Sequence, residues 1–143
     1  MAISIYIKNG DWVLDEATGR PLTISGLAKT RQDFGEMLSL ETQTNGFGAG
    51  ISNLIGAVPE NPQSVAFTIM SRISSAVERW INLQRRLRVV LAKDETVAKL
   101  TFNQARVDDT DPTTVIFRAA INTIAGDEVA RGGAISASQP TGV

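Results

Sequence analysis

The chain contains no cysteine and no histidine. Without cysteine there is no disulfide framework and no thiolate zinc site. Without histidine, the commonest metal ligand and the usual general base at neutral pH are both missing. Charge of one sign is missing as well. Fourteen Lys and Arg stand against 15 Asp and Glu, which argues against bulk attraction to nucleic acid. No apolar run approaches the length of a bilayer span. The opening MAISIYIKNG alternates instead of placing a charged segment before an apolar block, so it does not read as a signal peptide. A cytoplasmic address is the default expectation. At 143 residues the chain is one domain by size, able to bury roughly two-thirds of its unfolded surface.

The strongest positive signal is the stretch from Gln63 to Arg86. Ala66, Ile69, Met70, Ile73, Ala76, Val77 and Trp80 recur at intervals of three and four, one stripe along a helix of period 3.6. Ser71, Arg72, Ser75, Glu78, Arg79 and Asn82 cover the opposite face. Asn61-Pro62 supplies the start signal, because proline suits the first helical turn.

Before this helix, Ile3, Ile5 and Ile7 alternate with polar residues as in a half-buried strand, and Asn9-Gly10 is a hairpin turn. Trp12 to Leu14 returns as the second arm, and Leu22 to Ile24 forms a third short strand. A helix follows from Gly26 to about Leu40, with Ser25 as N-cap and Leu27, Phe34, Met37 and Leu38 on its apolar face. Gly35 weakens that helix by about 1 kcal/mol relative to Ala. Its presence suggests close approach by a neighbour, with the long helix as the candidate. Thr42 to Gly50 is a glycine-rich loop around Phe47, with Ile51 to Ile55 as a short helical turn.

After the long helix, Val89 to Ala92 reads as a short strand. Ala98, Leu100 and Phe102 share one strand phase and Ala105 and Val107 the other, as a β-bulge near Asn103 or Gln104 would produce. Asp108 to Pro112 is a turn. Thr113 to Ile124 is a long strand with Val115, Phe117, Ala119 and Ile121 on one face. From Gly126 the composition shifts to Gly, Ala and Ser without periodicity. The expected fold is α+β: an N-terminal β-hairpin, two packed helices of which the second is long, a C-terminal antiparallel β-meander and a flexible tail. Residues 1–125 form the single domain and 126–143 a flexible or partner-ordered tail.

Chemistry-bearing constellations are weak. The glycine-rich loop follows a helix, holds no Lys and has the spacing G-x-G-x-G, so it reads as a structural turn and not as a phosphate cradle. Asp33, Glu36 and Glu41 cluster near one helix, and Asp108, Asp109 and Asp111 near one turn, where they read as turn caps. Paired carboxylates can cleave glycosidic bonds only when one is desolvated. The segment DDTD lacks the spacing and terminal Glu of a calcium loop. Arg85, Arg86 and Arg88 form a basic cluster, read as an ion-pair surface for a protein partner in preference to a phosphate contact. Trp12 and Trp80 read as core or interface anchors. No catalytic residue, cofactor site or metal site is assigned.

The order of segments Asp11-Trp12-Val13-Leu14-Asp15 with Gly19, Leu27 to Asp33, Leu38 to Leu40, Gly46 to Ile51 and Asn53 to Ile55 is similar to a known family. It resembles the small baseplate wedge proteins of bacteriophage contractile tails, the sheath-initiator family also found in type VI secretion baseplates. The resemblance spans roughly residues 10 to 125. Many members carry Glu-Pro-Arg at the end of the long helix; the nearest match here, Glu78-Arg79-Trp80, lacks the proline. The resemblance implies a virion structural protein with no enzymatic activity, present in the host cytoplasm during assembly. It implies six-fold placement around the tail tube or hub, bound to wedge subunits, with no membrane or direct nucleic-acid contact. It further implies that the first sheath ring is templated by β-strand addition, with Thr113–Ile124 and its tail, or Ile3–Ile7, as the edge. The partner-binding candidates are Phe47, Glu78, Arg79, Trp80, Arg85, Arg86, Arg88, Val115, Phe117, Ala119 and Ile121. Two other classes compete: a head-tail or neck adaptor contacting DNA or the portal through Arg85, Arg86 and Arg88, and a cell-wall glycan hydrolase using Glu36 or Glu41.

Overall fold

A computed structural model describes residues 4–8, 11–39, 48–51, 54, 58, 60–86 and 91–136. The fold is α+β. The N-terminal part holds four two-residue strands, β1 (Ser4–Ile5), β2 (Ile7–Lys8), β3 (Asp11–Trp12) and β4 (Thr23–Ile24). Helices α1 (Gly26–Ser39) and α2 (Pro62–Arg86) follow. A 3-10 turn at Lys93–Glu95 then leads into β5 (Val97–Val107), β6 (Thr114–Thr123) and β7 (Glu128–Ser136).

The N-terminal hairpin forms with Ile7 opposite Trp12 and Lys8 opposite Asp11, but β1 leaves it to pair antiparallel with β4. A further bridge joins Leu14 to Pro21. The three ribbons meet at a closed ring of backbone bonds. The Tyr6 N–H donates to the Leu22 carbonyl (2.7 Å), the Leu22 N–H to Val13 (2.7 Å), and the Val13 N–H to Tyr6 (3.0 Å). Two-residue arms are too short to stand alone, and α1 supplies the missing support. The Gln32 side-chain amide accepts from the Ile7 N–H (2.9 Å) and donates to the Ile5 carbonyl (2.8 Å), as a neighbouring strand's peptide group would. The Asn9-Gly10 turn lies outside the described residues.

β5, β6 and β7 form an antiparallel meander in that order. Helix α2 lies across β5 and β6. Its stripe is buried as the spacing requires, with Met70 half-buried, and Val65 joins it. Phe34 of α1 stacks on Trp80 with ring centroids 6.2 Å apart. The bulge in β5 exists but falls earlier than expected, with register shifts at Val97/Lys99 and Leu100/Phe102. It brings Asn103 onto the covered face opposite Ala119, where its Nδ2 donates to the Met70 carbonyl at 2.7 Å.

Four sequence expectations are corrected. Residues 128–136 are not tail: they form β7, paired in unbroken register with β6 from Asn122↔Glu128 to Thr114↔Ser136. The weak hydrophobic alternation of this segment is completed by pairing to a strongly apolar neighbour. Residues 137–143 lie outside the described residues. In consequence β6 is the central strand and offers no open edge. Leu91 and Ala92 are not in a strand, and Val89 and Val90 lie outside the described residues. The first N–H of α1 is received not by Ser25 but by Glu95, 69 residues away: Gly26 N–H donates to Glu95 Oε2 at 3.0 Å.

Glu95 is 1% exposed and joins several elements. Its Oε1 accepts from the Ala92 N–H (2.8 Å), while its carbonyl accepts from Gln84 Nε2 (3.0 Å) at the end of α2. Gln84 Oε1 in turn accepts from the Val97 N–H that opens β5 (3.0 Å), and the Thr30 hydroxyl of α1 donates to the Asp94 carbonyl (2.7 Å). A carboxylate at a helix N-terminus is favoured by the partial positive charge there.

Candidate functional site

The partner-binding candidates separate into three groups. Val115, Ala119 and Ile121 are fully buried, Phe117 is 8% exposed, and all four belong to the core of the sheet that α2 covers. Trp80 is buried in the stack with Phe34. These five belong to the core, because the strand that carries four of them is flanked on both sides and covered on one face. The expectation that they contact a partner is corrected. Glu78 and Arg79 stand exposed on α2, and Arg79 Nη2 donates to the Gly48 carbonyl (3.2 Å). Arg72 Nη1 donates to the Gly50 carbonyl (2.6 Å), so two arginines of the polar face strap the glycine-rich loop to α2. Ala49 of that loop and Ile51 just after it are buried. Phe47 and Arg88 lie outside the described residues. Arg85 and Arg86 close α2 and are exposed. Cations there complement the negative end of the helix dipole.

The carboxylate clusters do not converge. Asp108 Oδ1 accepts from the Thr110 N–H (3.0 Å), and Asp111 Oδ1 from the Thr113 N–H (2.9 Å), so both cap their turn as expected. The Thr113 and Thr114 hydroxyls hold the Asp111 carboxyl below its ordinary range. Asp33 pairs with Lys29, yet burial raises its carboxyl above the ordinary value. Glu36 is also raised, first by burial and then by the charge of Asp33. Its Oε1 is buried without a hydrogen-bond donor among the described residues. Glu41 lies outside the described residues. Among the described residues no three acidic side chains are grouped closely enough to hold a metal ion, and no helix is long and apolar enough to cross a membrane.

A further surface feature lies elsewhere. A trough runs between α1 and β7. One part, about 490 Å³, is bordered by Leu38, Ile51, Phe117 and β7 from Arg131 to Ile135. Five consecutive residues border it, so the β7 backbone itself faces the trough, not one alternating face of the strand. The other part, about 840 Å³, extends along α1 past Gln32 and Glu36 to Tyr6 and Ile7. Gly35, Ser39 and Arg131 border both parts, and Arg131 Nη2 crosses to the Arg31 carbonyl at 3.1 Å. Three glycines border the trough: Gly35 on the helix, and Gly132 and Gly133 on the strand. Phe117 lies against Gly133, where an added Cβ would meet its Cζ at 3.0 Å. The sequence pointed past Gly132, Gly133 and Arg131, because a Gly-Gly pair in a small-residue run reads as linker. The one available signal was Gly35, placed at a cost inside a helix.

Comparison with protein-family models, with curated proteins and with solved structures found no match.

Proposed function

We propose that the protein is a structural component of a phage contractile-tail baseplate, joining wedge subunits around the tube and presenting a strand edge to the first sheath ring. The observation that supports this reading best is the three-stranded sheet, whose outer strands of 11 and 9 residues each pair on one side only among the described residues. Such edges offer rows of backbone N–H and C=O groups to another chain, and a protein that templates assembly needs them. The order of segments shared with the sheath-initiator family supports the same reading. With β6 internal, the templating edge is β5 or β7. Glu78 and the exposed end of α2 at Arg85 and Arg86 remain as surfaces for the wedge subunits and for tube or hub proteins. Virion localisation and the lack of enzymatic activity belong to this proposal.

Quantitative mass spectrometry of purified contractile tails tests it. A small fixed copy number, consistent with one ring and far below the sheath count, is expected. Absence from mature tails would overturn the reading. Exposed Arg85 and Arg86 favour one second reading, an adaptor touching DNA or the portal; it requires DNA binding that weakens steeply with salt.

A further inference from the structure

Among the described residues the sheet has two open edges, and they are unequal. β5 is interrupted by two register shifts and carries Lys99 and Arg106 exposed, the devices by which edge strands discourage pairing. β7 runs nine residues in unbroken register with β6 and has no proline and no bulge. Its backbone borders the trough beneath α1. We infer that the β7–α1 trough is a docking site for an extended polypeptide segment, which enters as a fourth strand beside β7 with α1 as its roof.

Three observations define the occupant. The row of N–H and C=O groups along β7 is complementary to an extended backbone and to little else. The lining contributed by Leu38, Ile51 and Phe117 is apolar, so alternate side chains of the segment are aliphatic and small. Farther along, the Glu36 carboxylate borders the trough with one buried oxygen that lacks a donor among the described residues, which calls for a Lys or Arg on the segment where it passes α1. Gly35 fits the same picture. An added Cβ there would meet nothing nearer than the Arg131 guanidinium at 3.6 Å, so the folded protein itself does not need glycine at this position. A side chain would instead narrow the trough at the point where its two parts join.

The inference rests on the assembly reading for the partner that supplies the segment, a tail subunit. Because the chain has no cysteine, single thiols can be placed at will. The variants Ala134→Cys on β7 and Gln104→Cys on β5 would each carry a benzophenone label, be incorporated into tails and be illuminated, with cross-linked peptides read by mass spectrometry. Cross-linking of the β7 label, and not the β5 label, to one extended segment bearing a basic residue is expected. Cross-linking from β5 alone would overturn the trough as the site while leaving the assembly reading intact. If the unmodified protein is itself absent from tails, the assembly reading fails and this inference fails with it. A second variant separates docking from folding. Gly35→Leu should keep the helical circular dichroism of the parent yet lower incorporation at least tenfold, and Glu36→Lys should do the same by charge. Gly35→Leu protein that folds and incorporates at the parent level would overturn the inference.

Discussion

Gly35→Ala should make the protein more stable, and the structure sets the size. Gly35 lies in the interior of α1, and its φ is not in the left-handed region that favours glycine. In a helix interior, glycine is about 0.8–1.0 kcal/mol worse than alanine because its backbone loses more freedom on folding. The remaining question is whether the new methyl fits. Its nearest neighbours would be the Arg131 Cζ and Nε, each at 3.6 Å, and Nη2 at 3.7 Å, an ordinary van der Waals separation from the flexible end of a side chain. No repulsive term of comparable size opposes the gain. The expected change is about +1 kcal/mol, or about 3 °C in Tm for a chain of this size.

The same substitution at the glycines across the trough has the opposite sign. A Cβ at Gly132 would stand 2.8 Å from the Phe117 carbonyl oxygen, which is backbone and cannot swing away. A Cβ at Gly133 would stand 3.0 Å from the Phe117 ring, itself wedged in the core. Overpacking of this kind costs about 1–3 kcal/mol. Urea denaturation followed by circular dichroism at 222 nm would measure all three variants, with the slope m held constant as a check on two-state behaviour. If Gly35→Ala destabilises by 1 kcal/mol or more, α1 sits closer to a neighbour than the 3.6 Å contact, and the argument for an open trough fails.

Other perturbations test the framework. Glu95→Ala removes the acceptor of two backbone donors, Gly26 and Ala92, in a buried site; at about 1–3 kcal/mol per orphaned group it should destabilise by about 3 kcal/mol in urea titration. Trp80→Ala should cost about 3–5 kcal/mol by cavity formation, while exposed Trp12→Ala should cost little. Trp12 is 58% exposed and Trp80 5%, so acrylamide should quench two populations of tryptophan fluorescence, and Trp12→Phe should leave only the protected one. The Glu36 carboxyl is raised above 4.5 by burial. Between its unfolded and folded values the native state therefore holds more protons, and its contribution to stability falls as pH rises through that window. Glu36→Gln should accordingly be more stable than the parent at pH 7, with the gap closing below about pH 4.5 in thermal melts across pH; a gap that widens on acidification would contradict this sign.

How much was legible in the sequence depended on whether a segment's partner was local. The α2 stripe was readable because seven apolar side chains at helical spacing need only one helix to make sense, and all seven pack inward. The phase change in β5 was readable as a bulge, but its position was not. The inward polar residue Asn103 breaks the apolar alternation where its amide finds the Met70 carbonyl, a contact with α2 that no strand pattern contains. Glu95 could not be read at all. Its neighbours in sequence give no sign of the role, and only the tertiary approach of α1 makes it a cap.

The site was least legible, for a related physical reason. Val115, Phe117, Ala119 and Ile121 read as an exposed edge because the segment after them, with Gly132 and Gly133, has too little hydrophobic signal to read as a strand. Glycine weakens a strand in isolation, since it adds backbone freedom and no packing surface. Opposite Phe117 the weakness disappears, because the ring packs over Gly133 and covers the backbone that glycine leaves bare. One cross-strand pair thus turns an apparent tail into the outer strand, converts the supposed edge into the centre of the sheet, and moves the open ladder one strand outward to β7. The residues that make β7 hard to recognise are the same ones that leave room beside it, so a search for exposed apolar side chains would overlook this surface and a search for missing ones finds it.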